Sequence, residues 1–370
     1  MAAGRALPAR AVDLAAALGH TLAEPLAALT DLPAFDTSAM DGWAVAGPGP
    51  WQAAGRVLAG PAAAVALADG TAVEIATGAQ LPAGATGVVR REHGRLERGR
   101  LYATTPAPGQ DVRPRGQECR RGEELLPAGR VVTPAVLGLA AAAGHDRLTV
   151  HRRPTVELLV LGDELLDSGL PGPGLVRDAL GPLLTPWLAS AGAELIARRQ
   201  IRDDFALLRD AVRRSPADVV VTTGGTAAGP VDFLHPALAQ ARARLLVDGV
   251  AVRPGHPMLL AALPDGRHLV GLPGNPLAAV AGAVTLALPL LDTLSGRPVP
   301  AHRVERAAVD LPGHPRDTRL LPVVRTDEGV AALAFDGPAM LRGLALAEAL
   351  AVVVPGGVAA GGRVELLPVP

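Results

Sequence analysis

The chain has 370 residues, enough for two or three domains at roughly 150 residues each, and its 49% hydrophobic content excludes a disordered polymer. Its formal net charge of −1 offers no overall basic field for nucleic acid. All 35 basic residues are arginine, which excludes Schiff-base lysine chemistry and a lysine-bearing P-loop, and one cysteine, Cys119, excludes a disulfide framework or a cysteine-built zinc site.

The first residues carry Arg5, Arg10 and Asp13 and no clean apolar signal segment, so a cytoplasmic protein is expected, which a lone cysteine suits. Residues 9–29 alternate apolar and polar side chains at helical spacing and predict one helix. From 36 to 108, short Val/Ala-rich runs broken by Gly and Pro predict a small β domain. An arginine-rich loop, 109–121, leads to a helix over 134–143 with Pro134 in its first turn and Gly144 at its stop.

At 153 the pattern changes. Strands are predicted at 155–161, 194–200, 218–223, 259–261 and 268–272, alternating with helices at 181–191, 204–214 and 276–294. That alternation indicates βαβ units and hence a parallel sheet covered on both faces. The apolar run 277–291 contains Pro289 and falls short of the roughly 20 residues that span a bilayer, so it reads as a buried helix and no membrane is expected. Residues 299–370 return to short Val/Leu runs, a second β module.

In an open parallel sheet, ligands bind beyond the carboxyl ends of the strands, where helix N-termini also point. Here those ends read Gly162-Asp163-Glu164, Arg202-Asp203-Asp204, Thr222-Thr223-Gly224-Gly225-Thr226 with Asp232 beyond, and Gly271-Leu272-Pro273-Gly274-Asn275-Pro276. Glycines let backbone approach a phosphate closely, and carboxylates beside a phosphate require a cation, for which oxygen donors favour Mg²⁺. The expectation is a phosphorylated ligand held with magnesium. Each carboxylate taken singly also fits a helix-start cap, and each Gly-Gly a turn. Asn275 either caps the long helix or offers its amide to a ligand, and Arg253 in Arg253-Pro254-Gly255-His256-Pro257 is an oxyanion fork or a solvated turn residue. No HExxH or HxH histidine spacing and no G-x-S-x-G elbow occurs.

Ser38-Ala39-Met40-Asp41-Gly42-Trp43-Ala44-Val45, Thr77-Gly78-Ala79-Gln80-Leu81-Pro82, Arg113-Pro114-x-Gly116, Gly162-Asp163-Glu164-Leu165, Thr223-Gly224-Gly225, Asp232-Phe233, Arg253-Pro254-Gly255 and Gly271-Leu272-Pro273-Gly274-Asn275-Pro276 occur in order. Together they resemble the MoeA/gephyrin E-domain family, the molybdopterin molybdenumtransferases of molybdenum cofactor synthesis, over nearly the whole chain. The resemblance implies a multidomain α/β protein with a central three-layer, molybdopterin-binding α/β domain (153–296). It also implies a linker and dimerisation domain (1–37 with 109–152), a small β domain inserted in it (38–108) and a C-terminal β-barrel-like domain (297–370). It implies a homodimer and the Mg²⁺-dependent insertion of molybdate into adenylylated molybdopterin with release of AMP. Molybdopterin adenylyltransferase and apo-molybdoenzymes are the implied protein partners.

Carried over by position, Asp41, Thr77, Glu164, Asp232 and Arg253 take catalytic roles, and Glu164, Asp203 and Asp232 the metal. Asp163, Asp178, Asp203, Gly224, Gly225, Gly274, Asn275 and His256 contact substrate. The chain departs from the family pattern at His256 and Gly249, where the family has lysines, at Asp178-Ala179-Leu180 for Asp-Ser/Thr-Asn, and at Gly337-Pro338-Ala339-Met340 for a serine-rich turn. Two other readings fit the same residues: a molybdopterin adenylyltransferase, against which the Ser38–Val45 turn and the extra β modules argue, and a paralogue that binds pterin nucleotide without turnover, which the lost lysines and serines favour.

Overall fold

The computed structural model describes residues 4–58, 60, 66–226, 233–298, 301 and 303–370, which form two compact units. One unit comprises Ala11–Leu18 and Glu24–Thr149; the other comprises residues up to Arg10, Gly19–Ala23 and Val150–Pro370.

The first unit is built on a six-stranded sheet in the order Gly87–Arg90, Gly42–Val45, Thr71–Ile75, Trp51–Val57, Arg100–Tyr102 and Arg95–Glu97. All neighbours are antiparallel except Trp51–Val57 beside Thr71–Ile75. Alternate residues feed two cores, Ala44, Val73, Ile75 and Val88 on one face and Val45, Trp51, Ala72 and Leu101 on the other. The fully buried Trp51 donates its indole N–H to the Gly47 carbonyl at 3.0 Å. Helix Pro134–Ala142 starts as predicted, with Thr133 Oγ1 accepting the Val136 amide and Gly144 at φ 96° closing it.

The helix predicted over 9–29 does not form. The segment is a strand, Ala9–Asp13, one 3₁₀ turn, Leu14–Ala16, and two short strands, Thr21–Leu22 and Leu26–Ala27. Gly19 at φ 77° and Pro25 interrupt any helix, and tertiary pairing takes the remainder. The Leu14 amide donates to the Asp146 carbonyl at 2.9 Å, and the Arg147 guanidinium to the Ala11 carbonyl at 3.0 Å.

The second unit contains an α/β domain whose labelled elements are β1 (Thr155–Leu161), α1 (Leu180–Ser190), β2 (Glu194–Ile201), α2 (Phe205–Arg214), β3 (Val219–Thr223), α3 (Leu234–Gln240), β4 (Arg244–Asp248), β5 (Leu259–Ala262), β6 (His268–Leu272) and α4 (Pro276–Leu294). The sheet order is β2-β1-β3-β6-β5-β4. Strands β2, β1, β3 and β6 are parallel, as expected, but β5 runs antiparallel to β6 and to β4. The sheet is therefore mixed. The five residues between β5 and β6 allow only a hairpin, since a parallel return needs a crossover of a dozen or more.

Alternation along the strands sorts the side chains into two layers. Val156, Leu158, Val160, Val219, Val221 and Val270 pack with α1 and α4 on one face. Leu159, Val220, Leu259 and Leu269 pack with α2 and α3 on the other. Helix α4 is apolar enough and long enough to cross a membrane by length and composition, yet 72% of its most apolar window is buried within the fold. It passes Pro289 by widening to a π turn over Ala283–Ala287, which accommodates the amide that proline lacks.

The C-terminal module is a sheet of Arg303–Arg306, Arg363–Leu367, Ala349–Val353, Thr318–Thr326 and Gly329–Ala332. A bridge between Ala307 and Val330 brings its first and last strands together. Val252–Arg253, from the loop between β4 and β5, adds to it as a parallel strand beside Thr318–Arg319.

Candidate active site

Register places the carboxyl ends of the four parallel strands level: Leu161 lies opposite Ile201, Val160 opposite Thr223, and Thr223 opposite Leu272. All four ends open into one cavity of about 690 Å³. Its lining includes Glu164 after β1, Asp203 after β2, Gly224 and Gly225 after β3, and Gly274 and Asn275 after β6. The coincidence at separate strand ends is thus one surface, as the sequence pattern implies.

Glycine serves two purposes on this rim. A Cβ on Gly162, whose φ is 142°, would stand 2.6 Å from Oε2 of Glu164, so the bare backbone lets that carboxylate fold back over the strand end. Gly224 and Gly274 bring their loops together, a Cβ on Gly274 falling 3.7 Å from the Gly224 Cα, while the Gly224 amide donates to the Leu272 carbonyl at 2.8 Å. The Asp203 Oδ2 accepts the Asp163 amide at 3.4 Å. Asp163 itself is not among the lining residues and pairs with Arg202 at 3.1 Å.

Asp178 lines the cavity but is already engaged. Its buried carboxylate accepts the Leu180 and Gly181 amides on Oδ1, at 2.9 and 3.0 Å, and Arg198 Nη2 on Oδ2, at 2.7 Å. It holds the start of α1 from the cavity wall. The start of α4 is closed in another way: the Leu277 amide donates to the Pro338 carbonyl at 2.9 Å, with the Ala278 amide 3.4 Å from the same oxygen. Asn275 stands at the N-cap, yet its side chain makes no capping hydrogen bond, so its amide is unspent at the cavity wall. The Leu180 and Gly181 amides of α1 and the Leu277 and Ala278 amides of α4 thus already have protein acceptors.

Arg253 and His256 lie outside this cavity's lining. Arg253 Nε donates to Asp317 Oδ2 at 2.8 Å, which holds the Asp317 carboxyl below its ordinary range. His256 Nδ1 is 2.8 Å from the Val250 carbonyl, and a Cβ on Gly249 would stand 3.7 Å from its Cε1. The two positions where the family pattern carries lysine are thus neighbours. Their turn packs on α4, where a Cβ on Gly255 would sit 3.1 Å from the Ala278 carbonyl.

Asp41 and Thr77 belong to the first unit, and there they meet. Asp41 Oδ1 accepts the Thr77 amide at 2.7 Å and the Thr77 hydroxyl at 2.9 Å, which together lower the Asp41 pKa. The Ser38 and Leu81 amides, donating to the Ala79 and Asp36 carbonyls, lock the two turns into a single polar knot. Asp232, expected as catalyst and metal ligand, lies outside the described residues.

Sequence reasoning missed two walls. Leu165–Leu166 pairs with Val176–Arg177 as a short ribbon over the cavity, and Ala339 and Leu341 come from the C-terminal module. The Gly/Pro cluster Gly169 to Gly174 between its strands, with Gly169 and Gly174 at φ near 80°, is its local signal.

Residues 2–144 match the family model described as "MoeA N-terminal region (domain I and II)", and residues 157–293 match "Probable molybdopterin binding domain". A molybdopterin molybdenumtransferase of Nostoc sp. is 33% identical over 301 residues, covering 77% of this chain and 69% of that protein. One from Synechococcus elongatus is 35% identical, covering 73% of this chain and 72% of its own. The solved structure of a molybdopterin biosynthesis MoeA protein from Pyrococcus horikosii superposes with a TM-score of 0.79 at 26% identity, covering 99% of this chain and 95% of that one.

Proposed function

This chain belongs to the MoeA family of molybdopterin molybdenumtransferases, and we propose that it inserts molybdate into adenylylated molybdopterin with release of AMP. The observation that carries the reading is the convergence of Glu164, Asp203, the Gly224-Gly225 pair and Gly274-Asn275 on one cavity at the sheet's carboxyl edge. About 690 Å³ lies within the range of sites that enclose a small molecule.

The donor set suits Mg²⁺. Glu164 and Asp203 bring two carboxylates to the same cavity, and among the described residues no group of three or more His, Cys, Asp or Glu forms a closed cage. Mg²⁺ is commonly held by one or two carboxylates with phosphate and water completing its shell. Bound there it would polarise the phosphoanhydride of the nucleotide. Asp232 is assigned to the same ion on family resemblance alone.

The chain's own groups do the positioning. Asn275 offers its amide at the cavity wall, and the glycine loops allow the backbone close to phosphate oxygens. We assign oxyanion contact to Arg253 and His256, where molybdate would compete with Asp317 for the guanidinium. On family resemblance we also assign a catalytic role to Asp41 and Thr77, whose mutual hydrogen bonds hold the Asp41 carboxyl below its ordinary range. A cytoplasmic homodimer that receives its substrate from a molybdopterin adenylyltransferase and passes cofactor to apo-molybdoenzymes completes the proposal, supported by the same resemblance.

The test uses purified protein, adenylylated molybdopterin, molybdate and Mg²⁺. Molybdate-dependent AMP release, with product that activates an apo-molybdoenzyme, is expected. Folded protein that releases no AMP overturns the reading in favour of a non-catalytic binder, and turnover of ATP with molybdopterin would identify an adenylyltransferase.

A further inference from the structure

The cavity at the strand ends poses an electrostatic problem for the ligand proposed for it. Its side-chain charges include the carboxylates of Glu164 and Asp203, and first-turn amides of two flanking helices are already bonded, Leu180 and Gly181 of α1 to Asp178 and Leu277 and Ala278 of α4 to the Pro338 carbonyl. A phosphate entering without compensation meets net negative charge. Among the described residues, one cation lines this cavity, Arg177.

Arg177 sits on the ribbon that lines the cavity, fixed in register against Leu166. Backbone bonds hold it on both sides, the Val176 amide donating to the Glu164 carbonyl at 2.8 Å and the Asp178 amide to the Leu166 carbonyl at 2.9 Å. Its neighbours in sequence are committed, Asp178 to α1 and Arg198, and Arg198 in turn to Asp167 and Asp178. Arg177 itself is exposed and makes no hydrogen bond or ion pair among the described residues. An unpaired guanidinium facing a cavity offers a planar fork of donors that matches two phosphate oxygens.

We propose that Arg177 is the phosphate-binding cation of this site, contacting the phosphoryl group of the nucleotide directly, so that the nucleotide is gripped on one side by Arg177 and on the other by magnesium held at Glu164 and Asp203. This rests on the nucleotide reading above and adds to it a residue outside the family motifs. The ribbon is then the binding element that fixes where the phosphate lies.

Calorimetry with 5′-AMP and adenosine, at one saturating magnesium concentration so that the carboxylates are neutralised alike in every variant, tests it on the full chain. The native protein is expected to bind AMP roughly tenfold or more tighter than adenosine, the gain of a charge-assisted contact. In Arg177→Ala the AMP preference falls about tenfold while adenosine binding is unchanged, and Arg177→Lys retains part of it. An Arg177→Ala protein that keeps the AMP preference, or that loses adenosine and AMP binding in equal measure, overturns the assignment. If the native protein binds neither compound, the nucleotide cavity itself is wrong, and the assignment falls with it.

Discussion

Asp178 offers the sharpest check on how the cavity wall is held, because two substitutions there separate two contributions. Its Oδ1 caps α1 through the Leu180 and Gly181 amides, while its Oδ2 pairs with Arg198. Asp178→Asn keeps an oxygen at the cap and loses the charge; Asp178→Ala loses both. A hydrogen bond to a charged partner contributes about 1.5–3 kcal/mol. The low end applies here, since Arg198 is 33% exposed and retains Asp167. The cap adds about 1 kcal/mol. Asp178→Asn is therefore expected to lose about 1.5 kcal/mol and Asp178→Ala about 2.5 kcal/mol of local stability. In native-state hydrogen exchange, the first-turn amides of α1 should exchange roughly tenfold faster in the first variant and roughly sixtyfold faster in the second. Equal acceleration in both would show that the cap contributes nothing, and unchanged exchange in Asp178→Ala would refute the account of the wall altogether.

Gly162→Ala forces a Cβ to within 2.6 Å of the Glu164 carboxylate and should displace it, raising the Mg²⁺ concentration needed for half-maximal AMP release by about ten- to a hundredfold; an unaltered magnesium titration would remove Glu164 from the metal site. Thr77→Val deletes the hydroxyl that helps hold Asp41 below its ordinary pKa, so carboxylate NMR should find Asp41 titrating higher in the variant. The sign follows from the folded pKa lying below the unfolded one: the Asp41–Thr77 contacts stabilise the fold above about pH 3.9 and are lost as pH falls through the folded value. Arg253→Ala should release Asp317 to the ordinary aspartate range yet leave AMP affinity within about twofold, because Arg253 does not line the nucleotide cavity. A tenfold loss of AMP affinity would mean that the cavity extends to it.

Much of this architecture was readable before any coordinates. The strands and helices between 155 and 294 follow from apolar runs punctuated by Gly and Pro, and Thr155–Leu161 occurs at its expected bounds. What failed did so where partners outside the window decide. The segment 9–29 has helical spacing, but its backbone is claimed by residues 143–151 and 123–126. Strand β4, Arg244–Asp248, went unrecognised because it is an edge strand with an exposed, irregular pattern. At the site, the glycines and carboxylates of the strand ends were legible, since the parallel fold itself aligns them. The helix N-termini misled, because neither the Asp178 carboxylate nor the Pro338 carbonyl announces in sequence that it will accept first-turn amides there. Arg177 escaped notice for a related reason: its importance arises from what its neighbours are already bonded to.

The strand Val252–Arg253 has a consequence for biogenesis. It takes its place beside Thr318–Arg319, and that partner strand pairs in turn with Ala349–Val353 and, through it, with Arg363–Leu367. During translation the turn that presents Arg253 and His256 emerges long before the strands that seat it. The loop that carries Arg253 and His256 is thus seated only once strand Arg363–Leu367, more than a hundred residues downstream, has been made and its sheet has formed.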